Sequence, residues 1–245
     1  MMQEVVLVTG GASGIGRGLA GAFHALGARV IIAGRDMRAL QAVVAGHPGI
    51  EAEHVDVMDS ASITALAARM ATTHPGLTMV INNAGMQQVL DFTQAVDPAA
   101  IARKVATNLT GLMQVSAAFA PLLMRQPRAR LVHVGSGLGY VPLVQAPVYS
   151  ATKAGVHSFS ISLREQLRGT SVQVVEIIPP VVETALHRGQ ARKPPGVMPL
   201  DAFVTKTMAG LASGHDEVRV GLARVLAIGA RMAPGLFLRI INKGA

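Results

Sequence analysis

The sequence has 245 residues, of which 50% are hydrophobic and 15% charged, and this composition excludes a disordered chain because a sizeable core can be buried. Cys is absent, so disulfides and thiolate-bound metal sites are excluded as well. The formal net charge is +8, but the basic residues are scattered, aromatic residues make up only 3%, and no nucleic-acid-binding motif accompanies them. We therefore interpret the charge as a solvated basic surface and expect no nucleic-acid partner.

The two ends of the chain argue against export and against a membrane span. Met1–Glu4 lacks the basic segment and the cleavage site of a secretory signal, which favours a cytoplasmic protein. The C-terminal segment is apolar, but Arg224, Arg231 and Arg239 interrupt it and Pro234 breaks it, so it is too short for a spanning helix. We expect this tail to pack on the domain or on a partner subunit.

Short runs rich in β-branched residues alternate along the chain with longer segments of helical periodicity. The runs predict strands at Glu4–Thr9, Arg29–Ala33, Glu51–Asp56, Thr78–Asn82, Arg130–Gly135 and Val172–Ile178. The segments between them predict helices near Ile15–Ala25, Ala39–Ala45, Ser60–Ala71, Pro98–Arg125 and Tyr149–Leu167. This alternation is typical of an α/β fold of Rossmann type, a doubly wound parallel sheet of about seven strands with helices on both faces. We expect residues 1–245 to form a single domain.

The composition changes after the sixth predicted strand. Residues 179–199 are rich in Pro and Gly and include Arg188, Arg192 and Lys193. Ligands bind beyond the carboxyl ends of parallel strands, so we interpret a segment at about residues 183–200 as a lid over a site. A plain surface loop is the alternative.

The first predicted strand runs into a glycine-rich turn, which a helix follows at once. Glycine lets the backbone turn tightly and approach a pyrophosphate without a Cβ in the way. The start of the helix offers free N–H groups and the positive end of its dipole to phosphates. We predict a dinucleotide phosphate site in this turn, at Gly10, Ser13, Gly14, Ile15 and Gly16.

The spacing G-x-x-x-G-x-G of this turn resembles the first turn of the short-chain dehydrogenase/reductase family. Further motifs follow in the order typical of that family, at Asn82-Asn83-Ala84-Gly85, Asn108, Ser136, and Tyr149 with Lys153 as Y-x-x-x-K. The run Ile178-Pro179-Pro180 and the Ala-Pro…Asn-Lys ending are similar to a bacterial DltE-like branch. Pro180 stands where the family commonly has glycine, and it removes a backbone donor.

The resemblance implies an oxidoreductase that transfers a hydride between a nicotinamide cofactor and a carbonyl or alcohol substrate. It implies a catalytic set of Asn108, Ser136, Tyr149 and Lys153, with Tyr149 as the general acid/base. Lys153 would also bind the nicotinamide ribose, and Asn108 would hold a water that links Lys153 to solvent. Besides the glycine-rich turn and the Tyr/Lys pair, it implies cofactor contacts at Asp56, Val57, Asn83, Ala84, Gly85, Pro179, Val182 and Thr184.

The residue types of the catalytic set suit this chemistry. Tyr149 and Lys153 are four residues apart at the start of a predicted helix, so both project from one face. A free phenol has a pKa of about 10, and an ammonium group nearby favours the phenolate and lowers that pKa. The Ser136 hydroxyl can hold the reacting oxygen in position. Taken singly, each of these residues has an ordinary structural interpretation: Tyr as packing, Lys as surface charge and Ser as a turn former.

The end of the second predicted strand bears on the choice of cofactor. An acidic residue about 20 positions beyond the glycine-rich turn normally binds the ribose 2′-hydroxyl of NAD, and Asp36 lies at that distance. In the resembled family, however, the selecting acid falls at the position of Gly34, and NADP-binding members often carry a basic residue where Arg35 stands. Because Arg can pair with a 2′-phosphate in a fork geometry, we predict NADP(H) rather than NAD(H).

A second class of function is a cofactor-binding sensor or scaffold without catalysis. Such a protein would keep the glycine-rich turn and would be expected to lose the Tyr/Lys pair, which is present here. We interpret His133 as a strand residue rather than an acid–base group, and we expect no metal site because no His, Asp and Glu residues have ligand spacing. The expected partners are a small carbonyl or alcohol substrate and further copies of the chain, in a homodimer or homotetramer formed through the helices at Pro98–Arg125 and Tyr149–Leu167.

Overall fold

A computed structural model describes residues 3–184 and 196–243. Within these ranges seven strands form one parallel sheet in the order β3-β2-β1-β4-β5-β6-β7. The strands are β1 (Val5–Thr9), β2 (Arg29–Gly34), β3 (Ile50–His54), β4 (Met79–Asn82), β5 (Ala129–Val134), β6 (Val172–Ile178) and β7 (Glu217–Arg219). The structure confirms the predicted doubly wound parallel sheet.

Helices cover both faces of the sheet. They are α1 (Gly14–Ala25), α2 (Met37–Gly46), α3 (Ser60–Thr73), α4 (Pro98–Val105), α5 (Gly111–Leu123), α6 (Pro147–Gln166), α7 (Leu200–Ala212), α8 (Leu222–Met232) and α9 (Pro234–Ile241). Helices α1, α2 and α7 bury Leu19, Leu40 and Phe203 against one face. Helices α3 and α5 bury residues such as Leu66 and Phe119 against the other face.

Continuous apolar runs in the strands are explained by this two-sided cover. In β1, Val6 and Val8 belong to the core on one side of the sheet, whereas Leu7 belongs to the core on the other side. Successive side chains of a strand point to opposite faces, so both must be apolar when helices lie on both sides. The run Val172–Ile178 is apolar apart from Gln173 and Glu176, and β6 has the bounds that the sequence predicted.

The helix predicted at Pro98–Arg125 is interrupted. Helix α4 ends at Val105, a π-helical turn spans Ala106–Thr110, and α5 begins at Gly111. A π-helical turn inserts one extra residue into the helix, and hydrophobic periodicity does not reveal such an insertion. The prediction of one continuous helix is therefore wrong at this turn.

The C-terminal segment forms elements that the sequence analysis did not locate, namely α7, β7, α8 and α9. Helix α8 packs against α9 and against a 3-10 turn at Gly137–Gly139, so the tail packs on the domain. Strand β7 has only three residues, too few for a periodic pattern to stand out. Among the described residues, no helix combines the length and the apolar character needed to cross a bilayer.

The strand order reverses between β1 and β4, which places a crevice at the carboxyl edge of the sheet. The predicted lid at about residues 183–200 begins and ends near this edge, where Val182 forms a parallel bridge with Met198. The Glu183 N–H donates to Met198 O at 2.9 Å, and the Met198 N–H donates to Val181 O at 2.9 Å. Residues 185–195, which include Arg188, lie outside the described residues.

Candidate functional site

The glycine-rich turn connects β1 to α1 at the carboxyl edge of the sheet. Gly10 and Gly14 have φ of 66° and 51°, a left-handed conformation that favours glycine. A Cβ at Gly16 would lie 2.4 Å from the Gly10 carbonyl oxygen, so this position also excludes a side chain. The turn thus offers bare backbone and the N-terminus of α1, which together fit the pyrophosphate of a dinucleotide.

The residues after β4 hold this turn in place. The Asn83 side-chain amide donates to Thr9 O at 3.0 Å and to Gly10 O at 3.2 Å. The hydroxyl of Thr9 accepts from the N–H groups of Asn83 and Ala84 at 3.0 and 3.1 Å. A Cβ at Gly10 would lie 2.9 Å from Ala84 Cα, so the two segments are in close contact. The predicted residues Asn83 and Ala84 therefore adjoin the turn and support it.

Residues predicted to contact the adenosine half of a cofactor follow β2 and β3. Arg35 is exposed directly after β2. The neighbouring Asp36 is the N-cap of α2, where its carboxylate accepts from the Ala39 N–H at 3.0 Å. Asp56 follows β3 and accepts from the Met58 N–H at 2.9 Å, while Val57 beside it is buried. Their contacts with a cofactor stay predictions.

Ser136, Tyr149 and Lys153 meet where β5 ends. Ser136 begins the 3-10 turn at Gly137–Gly139, and its hydroxyl accepts from the Leu138 N–H at 3.1 Å. Helix α6 begins at Pro147, so Tyr149 and Lys153 lie on its first two turns, and both are buried. The Ser136 hydroxyl lies near enough to the Tyr149 hydroxyl to lower the pKa of Tyr149. Three of the four predicted catalytic residues are thus brought together.

The charge states of these groups are set mainly by burial. Burial raises the pKa of Tyr149 to about 12, against the opposing effect of the nearby Ser136 hydroxyl. Burial lowers the pKa of Lys153 to about 8, while the carboxylate of Glu176 acts in the opposite direction. The expectation that Lys153 lowers the Tyr149 pKa is not met. Lys153 Nζ lies 5.7 Å from the centre of the Tyr149 ring and donates to Val134 O at 2.7 Å.

Asn108 lies in the π-helical turn and is buried. Its side-chain oxygen accepts from the Met86 N–H at 2.8 Å, and its amide donates to Met86 O at 2.8 Å and to Thr152 Oγ1 at 3.4 Å. Asn108 therefore links the loop after β4 to α6, one residue before Lys153. Gly85 belongs to the same contact, because a Cβ there would lie 3.5 Å from Asn108 Oδ1.

The segment after β6 leaves the sheet at the same carboxyl edge as the glycine-rich turn. Pro179 O accepts from the Gly137 N–H at 3.1 Å, which ties this segment to the turn after Ser136. Thr184 reaches the glycine-rich turn, since a Cβ at Gly14 would lie 3.3 Å from its side chain. Val182 is buried. Of the predicted residues after β6, Thr184 therefore adjoins the glycine-rich turn, Pro179 adjoins the turn after Ser136, and Val182 packs in the core.

Three ionisable side chains that the sequence did not connect meet beside β6. Donor atoms of His157, Glu176 and Glu217 lie within 4.8 Å of one another, although no spacing linked them, because they belong to α6, β6 and β7. His157 Nδ1 lies 2.7 Å from Glu176 Oε2, and Arg219 Nε donates to Glu217 at 2.8 Å. These contacts already occupy the carboxylates, so we interpret the cluster as an ion-pair network.

His133 is a strand residue, as the sequence analysis interpreted it. It is fully buried in β5, with Nε2 3.0 Å from Ser116 Oγ and Nδ1 2.9 Å from Ser160 Oγ. Its ring stacks on Phe159 with 5.6 Å between the ring centres. Burial lowers the pKa of His133 to about 3, with a smaller contribution from nearby Arg164 and Lys153. A neutral ring enclosed in this way has a packing role.

Comparison with known proteins agrees with this architecture. Residues 4–194 match the family model described as short chain dehydrogenase. The sequence is 38% identical over 223 residues to the uncharacterized oxidoreductase DltE of Bacillus subtilis (strain 168), and the match covers 89% of this chain and 88% of that relative.

Two solved structures are similar along nearly the whole chain. A short chain dehydrogenase from Burkholderia cenocepacia J2315 in complex with NADP has a TM-score of 0.86 and 27% identity, with 98% of this chain and 99% of that one covered. A short chain dehydrogenase/reductase from Burkholderia phymatum in complex with NAD has a TM-score of 0.84 and 21% identity, with coverage of 99% and 96%. These structures share the fold, and the two sequence matches show that the chain belongs to the short-chain dehydrogenase/reductase family of oxidoreductases, on the branch that includes DltE.

Proposed function

We propose that the protein transfers a hydride between NADP(H) and a carbonyl or alcohol substrate, with Tyr149 as the general acid/base. The observation that carries the proposal is the meeting of Ser136, Tyr149 and Lys153 at the carboxyl edge of the sheet, the edge that also carries the glycine-rich turn. A bound nicotinamide dinucleotide supplies or accepts the hydride. The side chains of this site orient the reacting oxygen and exchange its proton.

The protonation state of Tyr149 at neutral pH suits the reduction of a carbonyl group. With a pKa raised to about 12 by burial, the phenol keeps its proton and can donate it to a carbonyl oxygen during reduction. Ser136 lies close enough to Tyr149 to lower its pKa, so the Ser136 hydroxyl is placed to hold the same oxygen. Lys153, with a pKa lowered to about 8, adds positive charge beside the ring in its protonated form.

The choice of NADP(H) rests on the end of β2. Gly34 has no side chain to reach a ribose, and the Asp36 carboxylate is engaged at the N-terminus of α2. Arg35 is exposed at the same edge and offers a positive charge for a 2′-phosphate. The NADP complex of the Burkholderia cenocepacia relative supports the same choice.

The two tyrosines of the chain offer a matched test of catalysis. A panel of carbonyl compounds is screened by following NADPH absorbance, and Tyr149→Phe is expected to lower kcat by about 10²- to 10⁴-fold because the proton donor is lost. Tyr140→Phe is the control, because the Tyr140 hydroxyl donates to Glu217 rather than to a predicted catalytic residue, and it is expected to keep most of the activity. Full activity of Tyr149→Phe would contradict the mechanism.

The cofactor is tested at Arg35. Arg35→Leu is expected to lower kcat/KM for NADPH about tenfold or more, because a hydrogen-bonded charge pair is lost, and to leave the value for NADH nearly unchanged. Arg125→Leu, at an exposed arginine beyond α5, is the control and is expected to change neither value. A preference of the unaltered enzyme for NADH would overturn the assignment.

A sensor or scaffold without catalysis is the second candidate. Such a protein would bind NADPH but reduce no compound of the panel. Its Tyr149→Phe variant would bind NADPH as tightly as the unaltered protein. The burial of Tyr149 close to Ser136 and Lys153 favours the enzyme, because a binding module has no use for a proton donor in that place.

A further inference from the structure

Helices α8 and α9 expose apolar side chains on their outer sides. In α8 these are Val225, Ile228 and Met232, which follow i, i+3 and i+7 spacing and therefore form one stripe. In α9 they are Leu236 and Ile240, one turn apart. Met232 is 81% exposed and Ile228 is 62% exposed. We name these five residues the C-terminal apolar face.

The opposite sides of the two helices are anchored, so the orientation of the C-terminal apolar face is well defined. Ala223 and Ala227 are buried on the inner side of α8. The ring of Phe237 lies so close to Gly229 that a Cβ there would be 2.2 Å from it, which joins α8 to α9. At the end of α9, the Asn242 side chain accepts from the Val144 N–H at 2.8 Å. The exposed stripe therefore cannot turn inward without breaking these contacts.

Basic residues flank the C-terminal apolar face. They are Arg224, Arg231, Arg239 and Lys243, and the sequence has no Asp or Glu after Glu217. Arg224 and Arg231 are seven residues apart and lie on the same side of α8, beside Ile228. Within residues 3–184 and 196–243, none of these four basic groups forms an ion pair with a carboxylate.

The basic residues around the C-terminal apolar face distinguish between two possible binding partners, a second copy of the chain and a lipid bilayer. A two-fold contact with a second copy of the chain would set the same patch against itself and bring the basic residues of both copies together. An anionic bilayer instead provides negative head groups for the basic residues and acyl chains for the apolar stripe. We propose that the C-terminal apolar face docks the protein on the surface of an anionic lipid bilayer.

Docking on a bilayer would bring lipid close to the turn at Gly137–Gly139, which follows Ser136. Leu226 of α8 contacts the turn that follows Ser136, because a Cβ at Gly137 would lie 2.9 Å from it. Substrates that partition into the bilayer would then reach the site without crossing bulk water. The docking itself does not depend on the proposed reaction, so it can be tested without a substrate.

The test is co-sedimentation of the full chain with large unilamellar vesicles. Vesicles of phosphatidylcholine and phosphatidylglycerol in equal parts are compared with vesicles of phosphatidylcholine alone. We expect the protein to partition at least tenfold more strongly into the anionic vesicles. We also expect binding to weaken as salt rises to about 1 M, where the Debye length falls to roughly 3 Å. Equal partitioning into both kinds of vesicle would overturn the proposal.

Paired variants distinguish vesicle binding through the C-terminal apolar face from nonspecific hydrophobic binding elsewhere on the surface. Ile228→Glu with Met232→Glu is expected to abolish sedimentation with anionic vesicles. The control is Leu26→Glu, which changes a residue that is 75% exposed at the end of α1, and it is expected to bind as the unaltered protein does. Circular dichroism confirms that each variant is folded. An equal loss of vesicle binding in Leu26→Glu and in the Ile228→Glu with Met232→Glu variant would overturn the proposal.

Removal of basic charge gives an independent measure. Arg231→Gln with Arg239→Gln is expected to weaken partitioning about fivefold for each residue removed, since both lie beside the apolar stripe. Arg125→Gln with Arg128→Gln removes the same charge from the loop before β5 and is expected to have little effect. Analytical ultracentrifugation tests the other occupant: an oligomer that Ile228→Glu with Met232→Glu dissociates, without vesicle binding by the unaltered protein, would assign the face to a second copy.

Discussion

Glu176 is a buried charge that lies behind the candidate catalytic lysine. Its side chain is 1% exposed and pairs with His157 at 2.7 Å. It also favours the charged form of Lys153, against burial, which lowers the Lys153 pKa to about 8. A Cβ at Gly135 would lie 2.1 Å from Glu176 Oε1, so the carboxylate comes up against the chain directly after β5. The protonation of Lys153 thus depends on a residue of a neighbouring strand.

Glu176→Gln tests this dependence. Without the carboxylate, the pKa of Lys153 is expected to fall further below about 8, because nothing then opposes burial. The alkaline limb of the pH profile of kcat/KM for carbonyl reduction is therefore expected to move to lower pH by about one unit. Glu217→Gln is the control, because this member of the same cluster belongs to β7 and does not perturb Lys153. A limb that stays in place in Glu176→Gln, or moves as far in the control, would contradict the coupling.

Among the elements, the π-helical turn between α4 and α5 does most to position the site. It places Asn108 between the loop after β4 and α6, where Asn108 bonds both Met86 and Thr152. Gly111 directly follows the turn and lies against the segment after β3, since a Cβ there would be 2.4 Å from Val57 O and 3.0 Å from Ala106 O. The turn is therefore held by close backbone contacts as well as by hydrogen bonds.

Gly111→Ala is expected to reduce the free energy of unfolding by about 1–3 kcal/mol, because the added methyl group must displace backbone atoms. Urea denaturation followed by circular dichroism measures the change. Gly46→Ala, at the last residue of α2, is the matched control, because a Cβ there meets nothing within 4 Å. The control is expected to be neutral or slightly stabilising. An unchanged urea midpoint for Gly111→Ala would contradict this prediction, because it would show that the π-helical turn accommodates the methyl group without loss of stability.

At the scale of the whole molecule, His133 joins the sheet to the helical layer on one face. The ring belongs to β5 and contacts Ser116 of α5 and Ser160 of α6. Because burial lowers its pKa to about 3, the folded protein keeps this ring neutral at a pH where the unfolded chain binds a proton. The stability that the neutral ring provides is complete above about pH 6.5 and is lost as the pH falls toward about 3.

The free energy of unfolding is therefore expected to fall by up to about 1.4 kcal/mol for each pH unit between about pH 6 and pH 4, from this residue alone. Urea denaturation at several pH values measures the slope. His133→Gln keeps a polar side chain without a titrating ring, so the difference between the two slopes isolates the histidine from the carboxylates that titrate in the same range. Parallel slopes in the two proteins would contradict the assignment.

The local features of this protein follow from the sequence alone. The glycine-rich turn is recognisable at Gly10–Gly16 because only glycine permits its backbone and its close contacts. Strand β6 is recognisable because a strand covered on both faces is mostly apolar. The alternation of strands and helices predicts the parallel sheet, because a helix that connects two neighbouring strands makes them run in the same direction. Family resemblance adds the candidate set of Ser136, Tyr149 and Lys153, which the fold brings to one edge.

Tertiary structure alone decided which residues meet across long separations in the chain. The cluster of His157, Glu176 and Glu217 joins three elements, and no periodic pattern links them. Asp36, which has the spacing of a ribose ligand, caps α2 instead. Burial, rather than the neighbouring ammonium group, dominates the pKa of Tyr149. Desolvation and hydrogen-bond geometry depend on the packed surroundings of a group, and those surroundings exist only once distant segments have come together.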